Sequence, residues 1–205
     1  MKRFFVTGIS TEVGKTIASS IITEALEADY WKPIQAGDLD NSDSHKVRSL
    51  ISNPNTVIHK SGYELKTPMS PHAAAEIDNI TIELDRLREP KTDNHLVVEG
   101  AGGLLVPLND FDTIMDIILP NYKVIVVSRH YLGSINHTLL TLESLQQRGY
   151  QAAILFSGNE NVTTESIIAK KSGLPVLGRI EEEATFDKQV IKKYADSLKS
   201  ALLAL

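Results

Sequence analysis

Cysteine is absent from the 205-residue sequence, which excludes a disulfide framework, a thiolate metal site and a cysteine nucleophile. No stretch approaches the apolar length that a membrane span requires. The apolar run after Met1-Lys2-Arg3 stops at Thr7-Gly8, which is too short for the hydrophobic region of a signal peptide. Because no other targeting signal is present, we expect a cytoplasmic protein without a membrane partner.

The sequence also lacks a basic segment. It has 21 Lys and Arg against 26 Asp and Glu, a formal net charge of −5, so a nucleic-acid partner is not expected. Hydrophobic residues make up 42% of the chain, which excludes a disordered protein. No linker, repeat or low-complexity segment divides the chain, and its length suits one full core. We therefore predict a single domain over residues 1–205.

The most informative stretch is the loop from Gly8 to Thr16, which follows the apolar run Phe4-Phe5-Val6 and precedes a helical pattern. A strand, a glycine-bounded loop and a helix form the context of a phosphate-binding loop, although five residues rather than four separate the two glycines here. The glycines let backbone N–H groups face an anion, and the helix dipole adds positive potential. Lys15 can reach the β- and γ-phosphates, and the Thr16 hydroxyl can ligate Mg²⁺. The agreement of residues and context favours nucleotide binding over an ordinary strand-to-helix turn.

Apolar runs alternate with helical patterns along the whole chain. The predicted strands cover 4–6, 32–34, 95–99, 123–128, 152–157 and 175–180, and the second of them must end at its proline. Residues 61–69 are predicted to be irregular. The predicted helices start at or next to residues 15, 42, 70, 81, 112, 133, 163 and 184. Because several strands are continuously apolar, we predict an α/β fold whose parallel sheet has helices on both faces. Functional loops then lie at the carboxyl ends of strands.

A carboxylate and a second lysine occupy such strand ends. Glu99 ends an apolar strand before Gly100-Ala101-Gly102-Gly103, where nucleoside triphosphatases often have a metal-binding carboxylate. With Thr16 and an aspartate it could hold Mg²⁺, which prefers oxygen ligands. The residues alone leave Asp38, Asp40 and Asp43 open as that aspartate. Lys32 is either a surface lysine or a cation that neutralises charge during phosphoryl transfer.

Six motifs occur in order and cover nearly the whole chain. They are the loop 8–16, Lys32-Pro33-Ile34-Gln35, Asn41-Ser42-Asp43, Ser70-Pro71-His72, Val98-Glu99-Gly100-Ala101-Gly102-Gly103 and Leu132-Gly133-Ser134-Ile135-Asn136-His137. Together they closely resemble the dethiobiotin synthetase family, ATP-dependent enzymes of the penultimate step in biotin synthesis. The resemblance implies a P-loop nucleoside-triphosphate-hydrolase-like fold, Mg²⁺ as cofactor, ATP as co-substrate and a homodimer with its site at the interface.

The resemblance also implies a reaction and a set of site residues. An amine of 7,8-diaminononanoate takes up CO₂ as a carbamate, ATP phosphorylates the carbamate, and the second amine closes the ureido ring. Lys32 and Lys15 are the implied catalytic lysines, and Thr16, Asp43 and Glu99 the implied metal ligands. The implied nucleotide contacts are Glu12, Val13, Gly14, Lys15, Thr16, Ile17, Asp43, Glu99, Gly100, Ala101, Gly102 and, for adenine, Asn159. The implied substrate contacts are Thr11, Lys32, Ala36 and Gly102, with Gly133, Ser134 and Asn136 holding the carboxylate from the other subunit.

Two positions depart from the family pattern. Ala36 stands where a Ser or Thr is usual, so a hydroxyl contact to the substrate is missing. Glu181-Glu182-Glu183 follows the last predicted strand where a proline is common near the adenine.

Two other classes share the expected fold. Glutamine-dependent amidoligases need a glutaminase part with a cysteine nucleophile, which this chain lacks. Partition-type ATPases carry an additional lysine early in the phosphate loop, and the stretch from Ile9 to Val13 contains none. The alternative hypothesis is a non-catalytic ATP-binding module of the partition or regulatory type.

Overall fold

The computed structural model describes residues 1–205 and contains two sheets in which every strand pairing is parallel. The strands are β1 (Arg3–Gly8), β2 (Asp29–Trp31), β3 (Ile34–Ala36), β4 (Ile58–His59), β5 (Tyr63–Leu65), β6 (Leu96–Gly103), β7 (Lys123–Arg129), β8 (Gln151–Ser157) and β9 (Val176–Ile180). The helices are α1 (Lys15–Leu26), α2 (Asp43–Leu50), α3 (Pro71–Ile77), α4 (Ser134–Gln147), α5 (Val162–Ser172) and α6 (Lys188–Ala204). The main sheet has the order β4-β2-β6-β1-β7-β8-β9, and β3 pairs with β5 in the second sheet.

The centre of the main sheet is apolar and buried, as its continuous hydrophobic runs predict. Phe4, Phe5 and Val6 of β1 have no exposed surface and lie between β6 and β7. The chain leaves β1 through α1 towards β2 on one side and leaves β7 through α4 towards β8 on the other. Because such crossovers are right-handed, these two helices cover opposite faces. The predicted parallel α/β fold is therefore confirmed.

The predicted strand over 32–34 is wrong in its position. Strand β2 ends at Trp31, and the chain then passes through Lys32 and Pro33 into β3, which belongs to the second sheet. Proline has no N–H and cannot continue the hydrogen-bond ladder of an inner strand, so the chain leaves the main sheet there. Lys32 consequently stands just beyond the carboxyl end of β2.

Two predicted helices form only single 3₁₀ turns, at Leu84–Arg86 and Ile114–Ile117. The second turn is closed by a capping box between Thr113 and Asp116, and Pro120 follows too soon for an α-helix to develop.

Three further boundaries differ from the sequence predictions. Helix α6 begins at Lys188 rather than near Ala184, because the Asp187 side chain accepts hydrogen bonds from the backbone N–H groups of residues 189 and 190. The segment 61–69, predicted to be irregular, contains β5, and the two-residue strand β4 is not predicted at all. No helix of the structure combines the length and the apolar composition needed to cross a membrane, and the cytoplasmic location stays a prediction.

Candidate active site

The glycine-bounded loop joins β1 to α1 and favours glycine at two points, Gly14 for its backbone conformation and Gly8 for lack of space. Gly14 has φ +94°, and a Cβ atom there would stand 3.0 Å from Ser157 Oγ. A Cβ atom on Gly8 would stand 2.5 Å from the Val13 side chain. No side chain caps α1, so its first backbone N–H groups stay available to an anion. Lys15 lies along the loop and donates to the Ser10 carbonyl at 2.9 Å.

Four predicted site residues meet beside this loop. Thr16 Oγ1 is 3.1 Å from Asp43 Oδ1 and 3.0 Å from Glu99 Oε1. Lys32 Nζ is 2.7 Å from Asp43 Oδ2 and 3.0 Å from Glu99 Oε1. Lys32 and Glu99 are neighbours because β2 and β6 pair in parallel, with Trp31 opposite Val98. The four side chains therefore form one cluster of two carboxylates, an ammonium and a hydroxyl.

Of the three candidate aspartates, only Asp43 joins this cluster. Ser42 caps α2 by accepting a hydrogen bond from the His45 backbone N–H, which makes Asp43 the first helical residue. Its backbone N–H donates to Gln35 Oε1 at 3.2 Å, and its side chain faces Thr16 and Lys32. Asp38 and Asp40 do not join the cluster; Asp38 makes only a surface ion pair.

The electrostatics keep Lys32 and Asp43 charged. Burial alone would lower the pKa of the Lys32 ammonium, but the charges of Glu99 and Asp43 outweigh burial and raise it. Burial alone would raise the pKa of the Asp43 carboxyl, but the Lys32 charge and hydrogen bond lower it. For Lys15 the compensation is incomplete: burial, and next the charge of Lys32, outweigh the charges of Glu99 and Asp43 and lower its pKa to about 8. Lys32 is thus a fixed cation, whereas Lys15 lacks a full counter-charge in the ligand-free protein.

Sequence reasoning missed two residues that hold the cluster. The Tyr30 hydroxyl, fully buried, donates to Glu99 Oε2 at 2.9 Å. Gln35 binds the Asp43 backbone and also donates from Nε2 to the Gly37 carbonyl at 3.0 Å. Tyr30 looks like an ordinary core residue of an apolar strand. Its spacing of two residues from Lys32 was the available signal, because alternate residues of an extended chain face the same side.

A cavity of about 720 Å³ opens over the loop and the cluster. It brings together most of the predicted site residues, namely Thr11, Glu12, Gly14, Lys15, Thr16, Ile17, Lys32, Ala36, Asp43, Glu99, Ala101 and Gly102. Its wall also includes Arg129, Ser157, Gly158, Ile180, Glu181, Glu182 and Phe186, of which only the glutamates were singled out from the sequence. Ala36 does lie in the wall, so the cavity is lined by a methyl group where a Ser or Thr would present a hydroxyl.

Some predicted contacts lie outside this cavity. Val13 is buried beneath the loop, and Gly100 is a buried residue of β6. Strand β8 ends at Ser157, Gly158 turns the chain with φ +97°, and Asn159 beyond it is exposed. Ser157 and Gly158 line the cavity and Asn159 does not, so the contact between Asn159 and adenine stays a prediction.

The N-terminus of α4 forms a second concave surface, separate from the cavity within one chain. It includes Gly133, Ser134 and Asn136, and it shares no lining residue with the cavity. Gly133 precedes the helix with φ +102°, and no side chain caps it. Asn136 is the third helical residue and is exposed, so it does not serve as the cap of its own helix. The free N–H groups at this end remain available to an anionic group.

Comparison with known proteins identifies the relatives of the chain. A family model described as an AAA domain matches residues 2–190. A protein of Christiangramia forsetii named ATP-dependent dethiobiotin synthetase BioD is 57% identical over 98% of both chains. A protein of the same name from Cytophaga hutchinsonii is 47% identical over 97% of both chains.

Solved structures support the fold. A ParA family ATPase from Chlorobium tepidum superimposes with a TM-score of 0.56 at 16% identity over 100% of both chains. The MinD cell division protein of Aquifex aeolicus gives 0.54 at 12% identity, over 100% of this chain and 98% of that one. At these identities the likeness concerns the fold alone, and the predicted P-loop architecture is confirmed.

Proposed function

Because this chain belongs to the family of ATP-dependent dethiobiotin synthetases, we propose that its cavity closes a cyclic urea on 7,8-diaminononanoate, using CO₂ and ATP. The products are dethiobiotin, ADP and phosphate, and the reaction is a step of biotin biosynthesis. The observation that carries the proposal is the meeting of Thr16, Lys32, Asp43 and Glu99 beside the phosphate loop. Phosphoryl transfer needs such pre-positioned charge more than it needs covalent catalysis.

The reaction has three steps. One amine of the diamine adds to CO₂ and loses a proton, which gives a carbamate. A carbamate oxygen attacks the γ-phosphorus of ATP and ADP leaves, which gives a carbamic–phosphoric anhydride. The second amine attacks the carbonyl carbon, loses a proton and expels phosphate. The first two steps bring several negative charges together, so the protein must supply cations and N–H donors at that point.

The loop and the start of α1 hold the phosphates in this proposal. The uncapped N–H groups after Gly14 and the helix dipole bind phosphate oxygens, and Lys15 exchanges the Ser10 carbonyl for them. A nucleotide phosphate supplies the negative charge that buried Lys15 lacks, so binding raises its pKa again. The adenine lies on the side of the cavity that Ser157 and Gly158 line.

Thr16, Asp43 and Glu99 form an oxygen donor set that fits Mg²⁺. No group of three His, Cys, Asp or Glu side chains could hold a metal by itself, and Mg²⁺ typically takes one or two carboxylates and completes its shell with phosphate oxygens and water. When bound, Mg²⁺ neutralises charge on the phosphates being transferred. Lys32, held between Asp43 and Glu99, lowers the pKa of the Asp43 carboxyl and holds both carboxylates oriented towards the phosphate loop.

Lys32 is the proposed catalytic cation. Its ammonium is buried, its pKa is raised, and it also donates to the Gly100 carbonyl at 3.1 Å. A cation fixed in this way costs no reorganisation when charge grows on the transferring phosphoryl group and the carbamate.

We propose that the active enzyme is a homodimer in which α4 of one subunit completes the site of the other. The diamine carries a carboxylate at the end of its alkyl chain, and the uncapped N-terminus of α4 suits such an anion. Large apolar side chains are exposed on and beside this face: Leu132 is fully exposed, and Leu105 and Leu140, which line a second surface next to α4, are more than half exposed. Burying such residues is the usual driving force of a dimer interface.

Product analysis tests the activity. With ATP, Mg²⁺, bicarbonate and the diamine, the protein should form one cyclic urea for each ADP and phosphate released. ATP hydrolysis without a urea product, or no turnover at all in the folded protein, would return the non-catalytic ATP-binding module as the better hypothesis. That alternative is not favoured at present, because the relatives that match the whole chain are synthetases.

Subunit complementation tests the shared site. Lys32→Ala removes the catalytic cation, and Asn136→Asp places a repelling charge at the α4 end; each homodimer should be inactive. Heterodimers of the two variants should regain activity, because one of their two sites is built from unaltered halves. Verified heterodimers that stay inactive would mean that the carboxylate is bound within a single chain.

A further inference from the structure

The Glu99 carboxylate divides its two oxygens between different partners. Oε1 is 3.0 Å from both Thr16 Oγ1 and Lys32 Nζ, on the side of the cavity. Oε2 accepts the hydrogen bond from the Tyr30 hydroxyl at 2.9 Å. Glu99 is 1% exposed and Tyr30 is fully buried, so water does not replace either contact.

Tyr30 is built into the sheet rather than into a loop. It is the middle residue of β2, and it pairs with Val97 of the adjacent strand β6, which carries Glu99 two residues further on. The phenol O–H is the donor of this hydrogen bond, and the carboxylate oxygen accepts it. A rigid donor on one strand therefore fixes the rotation of a carboxylate on the next.

We propose that Tyr30 is a positioning residue for the metal site, and that its hydroxyl occupies Oε2 so that Glu99 presents only Oε1 to Mg²⁺. This inference rests on the proposed role of Glu99 as a metal ligand. Hydrogen bonds from outside the ligand set orient ligating carboxylates, and their loss commonly weakens metal binding. Mg²⁺ demands near-ideal octahedral geometry, whereas Ca²⁺ accepts bidentate carboxylates at longer distances. A carboxylate free to rotate should therefore harm Mg²⁺ binding more than Ca²⁺ binding.

Tyr30→Phe removes the hydroxyl and keeps the ring. A matched control exists in Tyr122→Phe, because Tyr122 is also buried and donates its hydroxyl to a carboxylate, that of Glu89, away from the cavity. The affinity of each enzyme–ADP complex is measured for Mn²⁺, from the EPR signal of the free ion, and for Mg²⁺ and Ca²⁺ by competition. Tyr30→Phe should bind Mn²⁺ and Mg²⁺ about tenfold more weakly, with a smaller loss for Ca²⁺. Tyr122→Phe should bind all three ions as the unaltered protein does.

A third variant separates the two levels of the proposal. Glu99→Gln should weaken Mn²⁺ binding; if it does not, the role of Glu99 as a ligand fails and the role of Tyr30 fails with it. If Glu99→Gln weakens binding but folded Tyr30→Phe keeps the full Mn²⁺ and Mg²⁺ affinity, the metal site stands and only the inference about Tyr30 is wrong. An equal loss in Tyr30→Phe and Tyr122→Phe, or an equal loss for Mg²⁺ and Ca²⁺, would likewise overturn it.

A second measurement covers the case in which Tyr30→Phe does not fold. Site-specific 3-fluorotyrosine at position 30 or 122 keeps both hydroxyls, and ¹⁹F NMR then reports on each hydrogen bond. Adding Mg²⁺ to the ADP complex should shift the resonance at position 30 and leave that at position 122 unchanged. An unmoved resonance at position 30 would overturn the proposal.

Discussion

Substituting Lys32 is the most informative single test, because the residue has two functions and each can be measured separately. It is the buried cation between Asp43 and Glu99, at 2.7 and 3.0 Å, and it is the proposed catalytic cation. Lys32→Met keeps most of the side-chain volume and removes the charge. The substitution should therefore lower catalysis and, independently, leave two neighbouring carboxylates without their counter-ion.

Both magnitudes follow from the contacts. Removing one pre-positioned group that stabilises transition-state charge lowers kcat by on the order of 10²-fold or more, which corresponds to about 2.7 kcal/mol of activation free energy. Leaving the partners of a buried ion pair uncompensated typically lowers the free energy of unfolding by about 3–5 kcal/mol. Mg²⁺ can replace the lost charge between the carboxylates, so it should restore much of this stability even without nucleotide, and stabilise the unaltered protein less.

Urea unfolding with and without Mg²⁺, together with steady-state kinetics, measures both effects. The matched control is Lys46→Met, because Lys46 also approaches Asp43, at 3.9 Å, but is 38% exposed. Surface pairs contribute about 0–1 kcal/mol, so the control should keep both stability and kcat. Lys32→Arg should rescue activity poorly, since a guanidinium differs in shape and reach. A Lys32→Met variant changed only in the KM for ATP would make Lys32 a ground-state contact and refute the catalytic role.

Three further predictions test the loop, the metal ligand and a helix end. Glu99→Ala should abolish Mg²⁺-dependent turnover while circular dichroism shows a retained fold; near-normal turnover at low Mg²⁺ would contradict the assignment. Gly14→Ala should weaken nucleotide binding in a direct titration, because the new Cβ meets Ser157 Oγ at 3.0 Å. The control is Gly149→Ala, since Gly149 also has a positive φ but a Cβ there meets nothing within 4 Å. This control should lower the free energy of unfolding by only about 1–2 kcal/mol and leave nucleotide binding unchanged. Asp187→Ala should lower the free energy of unfolding by about 1 kcal/mol through the lost cap of α6, without affecting catalysis; no change in urea denaturation would mean that the cap is not needed.

The parts of the fold that the sequence predicts are those with local signals. The strand, loop and helix from Arg3 to Leu26 follow from an apolar run, two glycines and a helical period within one short stretch. The second sheet does not, because β3 and β5 have three residues each and owe their existence to pairing with each other across the chain. The start of α6 likewise depended on which of several polar residues would cap it, and Asp187 is the cap because it accepts two backbone hydrogen bonds.

The residues of the candidate site also differ in how well the sequence signals them. Lys15, Lys32 and Glu99 could be singled out because charged residues at the carboxyl ends of apolar strands are conspicuous. Asp43 could be chosen only through the family resemblance, since three aspartates stand close together in one polar loop. Tyr30 had only one signal, its spacing of two residues from Lys32, because a tyrosine in an apolar strand has the same pattern whether its hydroxyl contacts water or a carboxylate.

The charges around the cavity have a consequence for how nucleotide arrives. The wall carries five carboxylates, Glu12, Asp43, Glu99, Glu181 and Glu182, against three cations, Lys15, Lys32 and Arg129, so its net charge is −2. A free nucleoside triphosphate is strongly anionic, and a wall with net negative charge does not attract it over long distances. Association should therefore gain nothing from low ionic strength, and added salt, which screens repulsion, should leave the on-rate unchanged or raise it. Capture then depends on short-range contacts at the loop, and the nucleotide species that carries its own divalent cation should enter faster than the bare anion.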